Sequence, residues 1–115
     1  MRGIKFRAWY THRNSFYIFG SEAIRLLISK PHGSDIIHEQ YTGIKDKNGV
    51  EIYENDIVCQ QMRFDETNGV IFWQEEKARF AINLDGFITT ITKPQEMSYE
   101  VVGNIHENPE LLEEG

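Results

Sequence analysis

Apolar and polar residues alternate with period two at several places along the chain, and turn residues bound each place. Ile4, Phe6 and Ala8 interleave with Lys5 and Arg7, the rhythm of a half-buried strand whose apolar side faces a core. Trp9 then shares a face with Lys5 and Arg7. The polar run 10–15 predicts a turn, and residues 16–19 a returning strand, so the chain opens on a β-hairpin. Residues 23–28 fit two elements. Ser21 could cap a helix, whereas the alternation of Ile24, Leu26 and Ile28 before the breaker at 30–34 argues for a strand, which is the reading adopted. Residues 35–39 return from that breaker. Farther on, residues 57–59, the hairpin pair 70–73 and 78–84, residues 87–91, and a last strand from Tyr99 predict five more strands. The intervening stretches 65–69, 74–77 and 85–86 are polar or glycine-bearing, and Lys93 and Pro94 end the fourth of these strands. Gly103 marks a bulge or a close backbone approach.

The most informative stretch is 40–58, where turn chemistry and apolar spacing agree. A two-residue loop at Asn48-Gly49 would pair Lys45 with Ile52. A three-residue loop, a type I turn with Gly49 at positive φ, pairs Asp46 with Val50 and sets Ile44 beside Ile52 on one face. The second is preferred, because Asp suits the first position of a type I turn and glycine takes positive φ freely. In the next turn, 53–56, Asn55 suits a positive-φ position and Asp56 can accept a nearby backbone N–H. Gly43 also serves the local backbone. The tail predicts a helix of about two turns. Asn108 is its N-cap, Pro109 its first residue, and Leu111 with Leu112 its apolar face, which needs a docking site.

The run YTGIKDKNGVEIYENDIV at 41–58, with IKFRAW at 4–9 and VVGNIHENPELLEE at 101–114, resembles the YopX family of phage and prophage proteins. The three motifs stand in family order at both ends and in the middle, and the intervening residues match loosely. Where the family usually has glycine, this chain has Asn55, the next-best residue for that conformation. The resemblance implies an all-β core of SH3-like barrel type, self-assembly, a bacterial host cell, and no established activity or catalytic residues. The fold expected is therefore mainly β within one domain: an N-terminal β segment (1–39), a barrel core (40–107) and a helical tail (108–115).

Composition sharpens this reading. A chain of 115 residues, 40% hydrophobic and 26% charged, can bury one modest core, which argues against disorder. It has no apolar run of membrane-spanning length and no signal-peptide core, so a cytoplasmic location and no membrane partner are expected. The single cysteine, Cys59, excludes an internal disulfide and any cysteine cluster for a metal. In an apolar strand it reads as an inert core thiol.

Charge is unevenly placed. Residues 1–34 hold six Lys/Arg and one acid, a formal +5, whereas residues 35–115 hold six Lys/Arg and seventeen acids, a formal −11. Mutual attraction of the two parts, within a chain or between subunits, explains this better than nucleic-acid binding, because an acidic body repels phosphate. Lys5, Arg7, Trp9 and Arg13 nonetheless form a candidate basic and aromatic face for single strands, the alternative function. Tyr41, Lys45 and Lys47 complete the candidate contact surface. Gly43, Asp46, Asn48, Gly49, Asn55, Asp56, Asn108 and Pro109 are accounted for by turns and a cap. The four histidines have no metal-ligand spacing, and no glycine lies where a phosphate loop requires one. The leading expectation is a non-enzymatic binding or assembly module without a cofactor. Its partner is itself, through Trp9, Leu111 and Leu112, or a phage or host protein.

Overall fold

The structure is a computed structural model that describes residues 5–11, 16–29, 36–61, 63–92 and 98–112. Its strands form two antiparallel sheets, one in the order 16–19, 6–10, 36–45 and 51–53, the other in the order 87–90, 79–84, 66–74, 56–61 and 99–104. The chain divides into two compact units, 1–41 and 42–115. The boundary falls within the strand Ile36–Lys45. Neither sheet is closed, so the barrel closure implied by the resemblance is not seen.

In the first unit β1 (Phe6–Tyr10) lies between β2 (Phe16–Phe19) and the first half of β3 (Ile36–Lys45), and β1 and β2 form the expected hairpin. The hairpin's turn, 12–15, lies outside the described residues, as do Ile4 and the breaker at 30–34. Residues 20–29 are the α-helix α1 (Gly20–Ser29), not a strand. The alternation of Ile24, Leu26 and Ile28 misled, because residues spaced by three and four also share a helix face. Ala23, inside this helix, is fully buried, and so is Ala8 on β1, against which α1 packs. Two alanines leave room for a close helix-to-sheet approach. The Nε2–H of His38 donates to the Ala23 carbonyl at 3.1 Å.

The second unit holds β4 (Glu51–Tyr53), β5 (Asp56–Gln61), β6 (Glu66–Gln74), β7 (Arg79–Leu84), β8 (Phe87–Thr90) and β9 (Tyr99–Asn104). Ile52, Val58, Ile71, Ile82, Leu84, Ile91 and Tyr99 form its core, with Ile44, Phe80 and Val101 packed around them. Ile44 and Ile52 thus point to the same side, as the three-residue loop requires. That loop is present: the Asp46 N–H donates to the Val50 carbonyl at 2.8 Å, and Gly49 has φ of 82°. In the second turn Asn55 has φ of 68°, and Asp56 Oδ2 accepts the Tyr53 N–H at 2.8 Å. Residues 66–69, expected as loop, are the first half of β6. They pair with Val58, Cys59, Gln60 and Gln61 because β5 runs on beyond its apolar stretch. β9 shifts register against β5 between Ile57 and Val58, the bulge that Gly103 signalled.

The tail departs from expectation. Residues 109–112 form a 3-10 turn, Pro109–Leu112, where α-helix is expected, and residues 113–115 of that tail lie outside the described residues. Asn108 does not cap it with its side chain. Its Oδ1 instead accepts the Asn104 N–H at 3.3 Å and lies over Gly103, where an added Cβ would sit only 2.5 Å away. Asn104 Oδ1 in turn accepts the N–H groups of His106 and Glu107 at 3.0 and 2.9 Å.

Candidate binding surfaces

The basic face proposed from the sequence is only partly available. Arg7 and Trp9 do share a face, but β1 is a central strand buried on both sides, and the two residues are 6% and 7% exposed. The side chain directly across from Arg7 is Glu39, which is fully buried. Arg7 Nε donates to Glu39 Oε1 at 2.7 Å, and the Tyr17 hydroxyl donates to the same oxygen at 2.9 Å. The Arg7 guanidinium also lies over the Tyr17 ring, 4.2 Å from its centroid, and Trp9 meets that ring edge-on at 4.8 Å. This cluster solves the problem of a charge inside a sheet, since a buried cation persists only when paired and hydrogen-bonded. Neither Glu39 nor Tyr17 was singled out from the sequence, because nothing local ties them to Arg7.

Lys5 is exposed, with Nζ 5.6 Å from the centroid of the half-buried Tyr41 ring. Arg13 lies outside the described residues. Lys45 and Lys47 are exposed in the second unit, and Lys47 Nζ is 3.6 Å from Glu100 Oε1.

In the second unit the C-terminal turn lies against β6, held by a hydrogen bond from Asn68 Nδ2 to the Leu111 carbonyl at 3.1 Å. Leu111 is half-buried there and Leu112 remains exposed. The tail therefore docks on its own chain. Beside it opens a groove of about 470 Å3, lined by β6 from Glu66 to Val70, by the β7–β8 turn at Asn83, Asp85 and Gly86, and by Leu111 and Leu112. The turn takes two positive φ values, 53° at Asp85 and 94° at Gly86, and Asn83 Oδ1 accepts the Gly86 N–H at 2.7 Å. No expectation from the sequence joined these segments, which are far apart along the chain.

The outer side of β8 is a second exposed surface. β8 pairs with β7 and is, among the described residues, the last strand of its sheet, and Phe87 and Ile88 are 66% and 43% exposed. Cys59 is buried, and burial and the neighbouring Glu66 carboxylate push its thiol up. That is the environment of an unreactive thiol. Among the described residues no three His, Cys, Asp or Glu side chains gather as a metal site, and no helix is long and apolar enough to cross a membrane.

A family model described as YopX protein matches residues 21–113, most of the chain. The chain belongs to the YopX family. The match runs from α1 to the C-terminal turn, and so takes in both the groove and the β8 edge. Among solved structures, this YopX-family chain is similar to protein EF1440 from Enterococcus faecalis at 26% identity and a TM-score of 0.64. The likeness covers 98% of this chain and 100% of the other. No curated protein matches it.

Proposed function

We propose that this YopX-family chain is a non-enzymatic assembly and binding protein of phage or prophage origin, working in the cytoplasm of the host cell, and that it self-associates through the outer edge of β8. The observation that carries this reading is the edge itself. Phe87, Ile88, Thr89 and Thr90 bring neither charge nor proline to an end strand, and of the two apolar side chains Phe87 is mostly and Ile88 partly exposed. Such an edge offers unpaired N–H and C=O groups to another strand, and proteins that remain monomeric usually blunt it with charge, proline or a bulge. A second copy pairing there antiparallel would continue the sheet.

This interface replaces the one expected from Trp9, Leu111 and Leu112, since Trp9 is buried and Leu111 is docked on β6. The nucleic-acid reading loses support for a related reason, because Arg7 and Trp9 are engaged inside the first unit. Sedimentation of the intact protein beside Ile88→Lys, at tens of micromolar, tests the proposal. The intact chain is expected as a dimer and the variant, altered at an exposed side chain, as a monomer. A monomeric intact protein, or a variant that dimerises equally well, ends this reading.

A further inference from the structure

The groove beside the C-terminal turn has chemistry of its own. Glu66 and Asp85 supply its charged groups, and none of its lining residues is Lys or Arg. Among the described residues neither carboxylate is ion-paired. Asp65 and Glu110, each next in the chain to a lining residue, are exposed and add to the negative potential. The whole second unit, 42–115, carries fifteen acids against six Lys/Arg. A concave surface lined by one sign of charge concentrates the opposite sign and repels its own.

The remaining walls are Val70, Leu111 and Leu112, with the amides of Asn68 and Asn83 and the hydroxyl of Thr67 between them. Both amides are committed to holding the walls: Asn68 Nδ2 fixes Leu111, and Asn83 Oδ1 fixes Gly86. The groove is therefore preorganised, and a ligand does not have to bear the cost of opening it. Carboxylates beside an aliphatic wall match a side chain that ends in a cation on an apolar stem. At about 470 Å3 the groove has room for more than one such side chain.

We propose that this groove docks a lysine- or arginine-bearing peptide segment of a partner protein, with the cations on Glu66 and Asp85 and the stems on Leu111 and Leu112. The proposal goes beyond self-association through β8 and does not depend on it.

The test is titration of the full-length protein with a labelled, end-blocked hexapeptide alternating leucine and arginine, followed by anisotropy and by amide resonances. Binding should shift the resonances of Thr67, Asn68, Asn83 and Gly86 and weaken as salt rises. Glu66→Gln combined with Asp85→Asn should weaken it about tenfold, two exposed ion pairs' worth. Both side chains are exposed, and Asn accepts the positive φ of position 85, so the variant is expected to fold. The same peptide with glutamine for arginine should bind no more tightly than to the double variant. Ile88→Lys should bind as the parent does, which separates this proposal from the assembly reading. Unchanged affinity in the double variant, or shifts confined to other residues, would overturn it. So would spermidine binding as tightly as the peptide, which would make the groove a site for a free polyamine.

Discussion

The carboxylate of Asp46 accepts the backbone N–H of Val101 at 2.9 Å, although the two residues lie 55 positions apart. The same side chain accepts the N–H groups of Asn48 at 2.8 Å and Val50 at 2.9 Å through its other oxygen. Next to it, the Lys47 N–H donates to the Tyr99 carbonyl at 3.0 Å. A residue chosen by its turn for local reasons thus also fastens that turn to the last strand.

Asp46→Ala should destabilise the protein by about 3 kcal/mol, since it strands three backbone donors at a buried position. Urea denaturation measures this. A loss under about 1 kcal/mol would mean that water replaces the carboxylate at little cost.

Two glycines should fail for opposite reasons. At Gly49 an added Cβ meets nothing within 4 Å, so Gly49→Val suffers only the strain of φ at 82°, about 1–3 kcal/mol. At Gly69 a Cβ would lie 2.7 Å from Ile82 Cγ1 and 2.8 Å from the Asn83 carbonyl oxygen. Because one of these neighbours is backbone, Gly69→Ala should cost about 1–3 kcal/mol through overpacking. Serial denaturation of Ala, Ser and Val at both positions distinguishes the causes. The loss should grow with side-chain volume at 69, whereas at 49 even Ala should bear most of it. Equal profiles would contradict the geometry.

Removing one partner of the Arg7 and Glu39 pair should be severe. Arg7→Met or Glu39→Gln is expected to cost about 3–5 kcal/mol, while Arg7→Met with Glu39→Leu should recover most of it. A double mutant as unstable as the sum of the singles would show that the two charges do not compensate each other. Arg7→Glu is consequently no test of nucleic-acid binding, because it would unfold the site first. Lys5→Glu and Lys45→Glu, at exposed positions, are the appropriate variants.

Alkaline pH should weaken the fold. Burial and Glu66 raise Cys59, and burial raises Tyr99, so the folded state favours the protonated form of both. Their contribution is complete below the unfolded pKa values and is lost as pH rises through the folded ones. The urea midpoint should therefore hold from neutrality to about pH 8 and fall above about pH 9. Cys59→Ala should remove the earlier part of that fall. A midpoint that rises above pH 9 would contradict the sign.

The two turns of 40–58 are legible in the sequence because the bonds and positive φ values that form them, at Asp46, Gly49, Asn55 and Asp56, are local, whereas the tie from Asp46 to Val101 is not. Gly103 was legible for a similar reason. Residues 23–28 were not, since Ile24, Leu26 and Ile28 satisfy both periods over so short a window. The tail was misjudged because Asn108 is equally suited to a cap and to the bond it makes with Asn104. Alternation puts Arg7 and Trp9 on one face, but alternation alone cannot say that this face is also covered. Glu39 stands across from Arg7 only through strand pairing, and Asn68 meets Leu111 only after the sheet and the tail have both formed.

The two edges of the five-stranded sheet are unequal, and this limits how large an assembly can become. At β9 the register breaks beside Gly103, and Asp46 and Lys47 already occupy the Val101 N–H and the Tyr99 carbonyl. Growth of one sheet by head-to-tail addition needs two receptive edges, and among the described residues the proposed association has β8 alone on this sheet. Copies joined edge to edge through β8 use up the same surface on both sides, so the proposed association closes at two and cannot propagate into a filament.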